Sequence, residues 1–343
     1  MKRRTFIQQT SLLTGSIIIT KDLFAKPKGA VYGHGDMKYR MDVKWGELNA
    51  AKYPVNDCHE MIEDKKDRIV LLTNETRNNV IVYSKSGKLL HTWGHEFPGA
   101  HGLTLHNENG EDFLYITDIT LHQVYKTTID GSLLMTIDYP AETGAYKKKE
   151  EFVPTETTVL DNGDFYIADG YGAQYVMQYD AKGKLKNFFG GRGDGNEHLD
   201  NAHGITIDKR QSPATLLVTD RTRNCFKRFS MDGKLLEVIS LPGACVCRPV
   251  IHGDHLYAAV LRSPDMNAEK SGFVTILDKN NKVVSNIGGT EPVYKGGKLQ
   301  PMAQAEKIFI HPHDVCVDDD ENLYVAQWAS GKVYPYKFTK VYL

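Results

Sequence analysis

The sequence predicts an all-β chain, a six-bladed β-propeller of four-stranded antiparallel blades. Three observations lead there: a four-strand grammar recurs about every 50 residues, hairpin turns fall at fixed places within it, and no helical periodicity competes. In each unit a short apolar strand and a polar turn precede a second strand ending in Tyr-(Ile/Val)-(Thr/Ala)-Asp or a variant. A third strand then leads through a Gly-containing turn into an apolar fourth.

The clearest pair is His101-Gly-Leu-Thr-Leu to Leu114-Tyr-Ile-Thr-Asp118 and His203-Gly-Ile-Thr-Ile to Leu217-Val-Thr-Asp220, with His and Asp 17 residues apart in both. Pro154-Thr-Glu-Thr-Thr-Val to Phe165-Tyr-Ile-Ala-Asp169 follows the same plan, as does Pro312-His-Asp-Val-Cys-Val to Leu323-Tyr-Val-Ala-Gln327. The turns Lys85-Ser-Gly87, Ile129-Asp-Gly131, Ala181-Lys-Gly183 and Met231-Asp-Gly233 mark the third-to-fourth hairpins. Two degenerate units, near 55–94 and 245–288, bring the number to six. One blade alone exposes an apolar face, so the units must stack into one ring. The expected organisation is a targeting segment over 1–25, an irregular lead-in over 26–50 and one propeller over 51–343.

Lys2-Arg3-Arg4, then Thr5-Phe6, an apolar run over 11–19 and a small residue at Ala25 describe a secretory signal too short to span a bilayer. The arginine pair resembles a twin-arginine signal, the alternative being an ordinary secretory signal with incidental arginines. A periplasmic or secreted location follows. With 25% charged residues and a net charge of −1, the chain carries no nucleic-acid footprint. No later segment is apolar enough for a membrane span. The five cysteines form no CxxC, so neither a thiolate zinc site nor haem attachment is expected. Buried free thiols suit most of them, and up to two disulfides stay open after export.

In a propeller the innermost strands surround a channel. His101, His203 and His313 share one repeat position and lie 102 and 110 residues apart, two blades each time. Alternate blades of six stand about 120° apart. Three imidazoles then converge on the axis, as in a three-histidine metal site with an open position, or else form a polar channel lining. Thr155 holds the equivalent place in the third unit, and His59 falls near it in the first with a weaker alignment.

The Tyr-(Ile/Val)-(Thr/Ala)-Asp motif resembles the NHL repeat over most of the chain after 25. His101-Gly-Leu, Thr117-Asp-Ile-Thr-Leu-His-Gln-Val-Tyr-Lys126, Asp169-Gly-Tyr171, Asp220-Arg221 and Pro312-His-Asp314, in that order, resemble the lyase domain of the peptidylglycine α-amidating enzymes. That resemblance implies zinc on His101, His203 and His313, Tyr171 as base and Arg221 in the site. It implies calcium held by Asp314 and the Leu103 carbonyl. The reaction implied is cleavage of a peptidyl-α-hydroxyglycine to an amide and glyoxylate, on a small-molecule or peptide-end substrate. Arg77 stands near a second substrate arginine of the family, which aligns with Asn74, and His311 replaces a methionine two residues before the last histidine. The family's loop disulfides have no counterpart.

Each residue also has a plainer role open to it: Tyr171 as a packing aromatic, Arg221 as a partner of Asp220, Asp314 as a turn residue. Three functions compete: a zinc-dependent lyase, a non-catalytic NHL binding module, and a lactonase-like hydrolase with calcium on channel carboxylates such as Glu156 and Asp314.

Overall fold

A computed structural model describes residues 29–342, so the expected targeting segment over 1–25 lies outside the described residues. Six antiparallel sheets succeed one another along the chain: blade 1 (58–93), blade 2 (100–137), blade 3 (156–190), blade 4 (205–240), blade 5 (245–287) and blade 6 (312–340). Helical structure among the described residues is limited to two short 3-10 turns, Ala141–Thr143 and Lys149–Glu151.

The second strand of each blade is covered on both faces, which is why it reads as an unbroken apolar run. Ile69, Val70, Leu71 and Leu72 are all fully buried, as are Leu216, Leu217 and Val218. Their side chains knit neighbouring blades. Val70, Leu72, Val80 and Val82 of blade 1 pack on Leu103, Leu114 and Ile116 of blade 2. Each such burial stabilises the ring by roughly 1.5–3 kcal/mol. The hairpin turns fall where the glycines stand; Gly131, for one, has φ +92°, open to glycine at little cost.

The expected irregular lead-in over 26–50 is not irregular throughout. Val31–His34 and Met37–Asp42 are strands, and they extend blade 6 to five strands in the order N-terminal hairpin, Tyr336–Lys340, Leu323–Gln327, Pro312–Val317. Met37 and Tyr39 turn inward against Phe338 and blade 5, while Lys38 and Arg40 stay outside. This hairpin supplies the last blade with its outer strands. All five cysteines are buried and free, so the disulfides left open in the sequence do not form.

The repeat aspartate shapes the loops at one end of the ring. Asp118 accepts hydrogen bonds from the amides of Gly99, Thr120 and Leu121 at 3.0, 2.8 and 2.7 Å. Asp169 does the same for Val153 and Ala173 at 2.7 and 2.5 Å. The motif thereby fixes the segments entering the innermost strands of blades 2 and 3, where the candidate site begins.

Candidate metal centre

Six residues, one from each blade, occupy the same place at the head of the innermost strands: His59, His101, Thr155, His203, Cys247 and His313. Four are histidines with rings in mutual contact. Centroids lie 4.8 Å apart for His101–His203, His203–His313 and His59–His313, and 4.9 Å apart for His59–His101 and His101–His313. All four are buried. His101, His203 and His313 thus converge as expected. His59, only weakly aligned in the sequence, joins them as a fourth.

Bulges aim three of these side chains. Pairing slips between Cys58 and Glu60, between Ala100 and Leu103, and between Pro312 and Asp314. A regular strand sends successive side chains to opposite faces. The bulge lets His59 and Glu60, or His313 and Asp314, both serve the channel.

The second nitrogens orient the rings. His101 Nδ1 lies 2.9 Å from the Thr155 carbonyl and His313 Nδ1 lies 3.0 Å from the His59 carbonyl, which leaves their Nε2 atoms for the axis. His203 Nε2 and His313 Nε2 face each other at 3.1 Å. Two nitrogens on one tetrahedral zinc with bonds of 2.0–2.1 Å would stand about 3.3 Å apart. His59 Nδ1 and His203 Nδ1 have no hydrogen-bond partner. Burial holds all four imidazoles below their usual range, His59 at about 3, so each is neutral at pH 7 with a lone pair to give. Among the described residues, the group of three whose donor atoms all lie within 4.8 Å of one another is His59, His101 and His313, whereas His203 of the expected set meets His313 at 3.1 Å. The donor set fits a borderline divalent metal such as zinc.

Tyr171 and Arg221 stand at the mouth. The Tyr171 hydroxyl lies 3.2 Å from His101 Nε2, and Arg221 Nη1 donates to it at 3.4 Å. The residue is 38% exposed, but its hydroxyl end is enclosed by His101, His203 and Arg221. Burial raises the phenol above its ordinary range, with Arg221 pulling the other way. The Tyr171 loop is tied to blade 4 by Gln174, whose side chain donates to the Gly170 carbonyl and accepts from the Ala202 amide, both at 2.8 Å.

Arg221 does not pair with Asp220. Asp220 binds Lys227 at 2.7 Å and Arg223 at 3.1 Å. Arg221 instead donates to the Val246 carbonyl at 3.2 Å and to Cys247 Sγ at 3.0 Å. Its exposure is 1%, and among the described residues no carboxylate pairs with it. A buried guanidinium without a counter-charge is costly, and it is a ready seat for an anion.

The remaining expected residues lie elsewhere. Arg77 is exposed and held by Glu75 of its own loop at 2.9 Å. Asn74 accepts from the Asp57 amide and from Asn56, at 2.9 Å each. His311 is buried, pairs with Glu269 at 2.9 Å and packs on Trp328. Asp314 and the Leu103 carbonyl, expected around calcium, both receive the guanidinium of Arg248: Nη2 to Asp314 Oδ2 at 2.8 Å and Nη1 to Leu103 at 3.1 Å. Sequence reasoning missed Arg248, Glu60 and Cys247. Each stands at or one residue after the repeat position that carries the histidines.

No protein-family model matches the chain. It is 27% identical over 278 residues to peptidyl-alpha-hydroxyglycine alpha-amidating lyase 1 of Drosophila melanogaster, an alignment covering 73% of this chain and 47% of that relative. The chain thus spans about half that protein's length. It is 25% identical over 237 residues to the human NHL repeat-containing protein 3, covering 59% of this chain and 67% of that protein. Among solved structures, a gluconolactonase from Xanthomonas campestris superposes with a TM-score of 0.56 at 13% identity, covering 92% of this chain and 99% of the other, a likeness of fold alone.

Proposed function

We propose that this chain is an exported, metal-dependent lyase that acts on a small molecule or peptide end bearing a carboxylate, in the manner of the amidating lyases. The observation that carries this is the buried, carboxylate-free Arg221 beside the Tyr171 hydroxyl, itself against His101 and His203 of the four neutral imidazoles.

His101 and His313 would hold zinc together with His203, whose Nε2 faces that of His313 at 3.1 Å, and His59 would stand beside them as a fourth donor. The metal, when bound, would supply Lewis acidity toward substrate oxygens and favour the ionised phenol. Arg221 binds the substrate carboxylate and orients the carbon next to it. Tyr171 accepts the proton of the hydroxyl on that carbon. For an α-hydroxyglycine the carbon–nitrogen bond then breaks. The hydroxyl oxygen becomes the aldehyde oxygen of glyoxylate, and the amide nitrogen takes up a proton. The phenol starts above its ordinary range because of burial, so it works only with positive charge close by.

The alternative of calcium on channel carboxylates draws no support from Glu156 and Asp314, which face Arg248. A metal-free binding module could use Arg221 as an anion seat, but it gives no role to the buried neutral imidazoles beside it.

The test is metal analysis of the purified protein, followed by incubation with peptides extended by α-hydroxyglycine and detection of glyoxylate. One zinc per chain and glyoxylate release are expected. Protein that takes up no transition metal refutes the reading. Zinc uptake without glyoxylate keeps the metal and moves the substrate to another carboxylate-bearing compound.

A further inference from the structure

One residue beyond the histidines, the channel carries a second ring: Glu60, Gly102, Glu156, Gly204, Arg248 and Asp314. The Arg248 guanidinium sits among six oxygen atoms from four blades. It donates to Asp314 Oδ1 at 3.1 Å, Asp314 Oδ2 at 2.8 Å, the Leu103 carbonyl at 3.1 Å and the Met61 carbonyl at 3.1 Å. Glu60 Oε2 lies 3.5 Å away and Glu156 Oε2 lies 3.7 Å away. Carboxylates and main-chain carbonyls converging from several strands are the ligand chemistry of a hard divalent cation such as calcium. Here a side chain of the same molecule supplies the charge.

The main chain at Arg248 is closely packed as well. Blade 4 meets it with Gly204, where a Cβ would come within 2.5 Å of the Arg248 Cα. Gly204 thus lets the Arg248 main chain come close to blade 4, and the guanidinium is gripped by blades 1, 2, 3 and 6. The carboxylates have more acceptor capacity than the arginine fills: Glu60 Oε1 and Glu156 Oε2 are buried without a hydrogen-bond donor. Glu60 accepts from the Leu103 amide at 2.7 Å, and Asp314 Oδ2 accepts from the Met61 amide at 2.9 Å. Main-chain amides would therefore still hold Glu60 Oε2 and Asp314 Oδ2 if the arginine were removed.

We propose that Arg248 is a built-in counter-cation that occupies an oxygen cage otherwise suited to calcium. The chain then needs one metal, on the histidines, and none among the carboxylates. This stands apart from the lyase reading, because it concerns a different cation and different residues.

The experiment compares the full chain with Arg248→Ala, each freed of loosely bound ions on a chelating resin, then melted with and without added calcium. Zinc content is measured on the same samples to show that the histidine site is unchanged. The natural chain is expected to hold no calcium and to melt at the same temperature in both buffers. Arg248→Ala is expected to melt lower by on the order of 10 °C without calcium, and to recover at least half of that while binding one calcium per chain. If the variant does not fold without calcium, its refolding yield with and without the ion gives the same information. Stoichiometric calcium in the natural chain overturns the proposal, and so does an Arg248→Ala protein indifferent to calcium in melting and refolding.

Discussion

Replacing Tyr171 by Phe separates a catalytic hydroxyl from a packing ring. The hydroxyl makes two long contacts, 3.2 Å to His101 and 3.4 Å from Arg221, and the residue is 38% exposed. Neither contact is worth more than about 1 kcal/mol to the fold. Arg221 keeps the Val246 carbonyl and Cys247 when the hydroxyl goes, and His101 keeps Thr155. The variant should therefore melt within a few degrees of the parent and carry the same metal. If the hydroxyl takes the substrate proton, turnover should fall by about 10²–10⁴, or roughly 2.7–5.4 kcal/mol of barrier. The assay is kcat and KM for glyoxylate release, with zinc content and melting temperature measured on the same preparation. The loss should lie in kcat, because Arg221 still binds the carboxylate. Full turnover by the Phe variant refutes the role of base, and parallel loss of zinc and activity would make Tyr171 a support for His101 instead.

Other expectations follow from the same geometry. Alanine at His101, His203 or His313 should cut zinc content severalfold, and stripping zinc should cost about 2.7 kcal/mol of stability relative to free metal at a hundred times Kd, read by denaturant titration. Unchanged melting of the stripped protein would sink that expectation. Arg221→Met should raise KM for a carboxylate-bearing substrate at least tenfold with zinc retained; an unaltered KM means that the anion sits elsewhere. Asp208 is buried, yet hydrogen bonds from Arg210 and Arg228 outweigh that burial and hold its carboxyl down at about 2. Set against an ordinary value of about 3.9, that gap contributes about 2–3 kcal/mol above pH 4 and is lost as pH falls toward 2. Asp208→Asn should flatten the parent's stability loss in that window, and equal acid slopes would contradict it. Lysine at both Arg3 and Arg4 should strand the protein in the cytoplasm of its host, whereas undiminished export would point to the general secretory route.

The ring, its blade number and the shared phase of His101, His203 and His313 were legible because repetition multiplies a weak strand signal. Blade 1 hid its histidine for a definite reason. From His59 to Thr73, which pairs across from Cys58, is 14 residues, and the strand Ile69-Val-Leu-Leu-Thr73 has neither the tyrosine nor the aspartate that marks the repeat elsewhere. The same 14 separates His313 from Gln327, so His59-Glu60 beside His313-Asp314 was the available clue. Arg248 was illegible for another reason. Its partners lie 66 residues away at Asp314 and 145 away at Leu103, and only ring closure brings them together. The N-terminal strands escaped notice because they have no unit of their own and complete one begun at residue 312.

That clasp between the two ends of the chain sets a timetable. Tyr39 pairs with Lys340, so the partner of an early strand is made about 300 residues later. At ordinary synthesis rates the wait is about 15–60 s, and pairing over such a separation is slow in its own right. Throughout it the hairpin over 31–42 has an unsatisfied edge, the kind of surface that recruits strands from other chains. Lys38, Arg40 and Asp42 put charge along the outward side of that edge, while the apolar Met37 and Tyr39 alternate with them. The polar residues of this strand thus guard a nascent chain during the interval before its last blade can be completed.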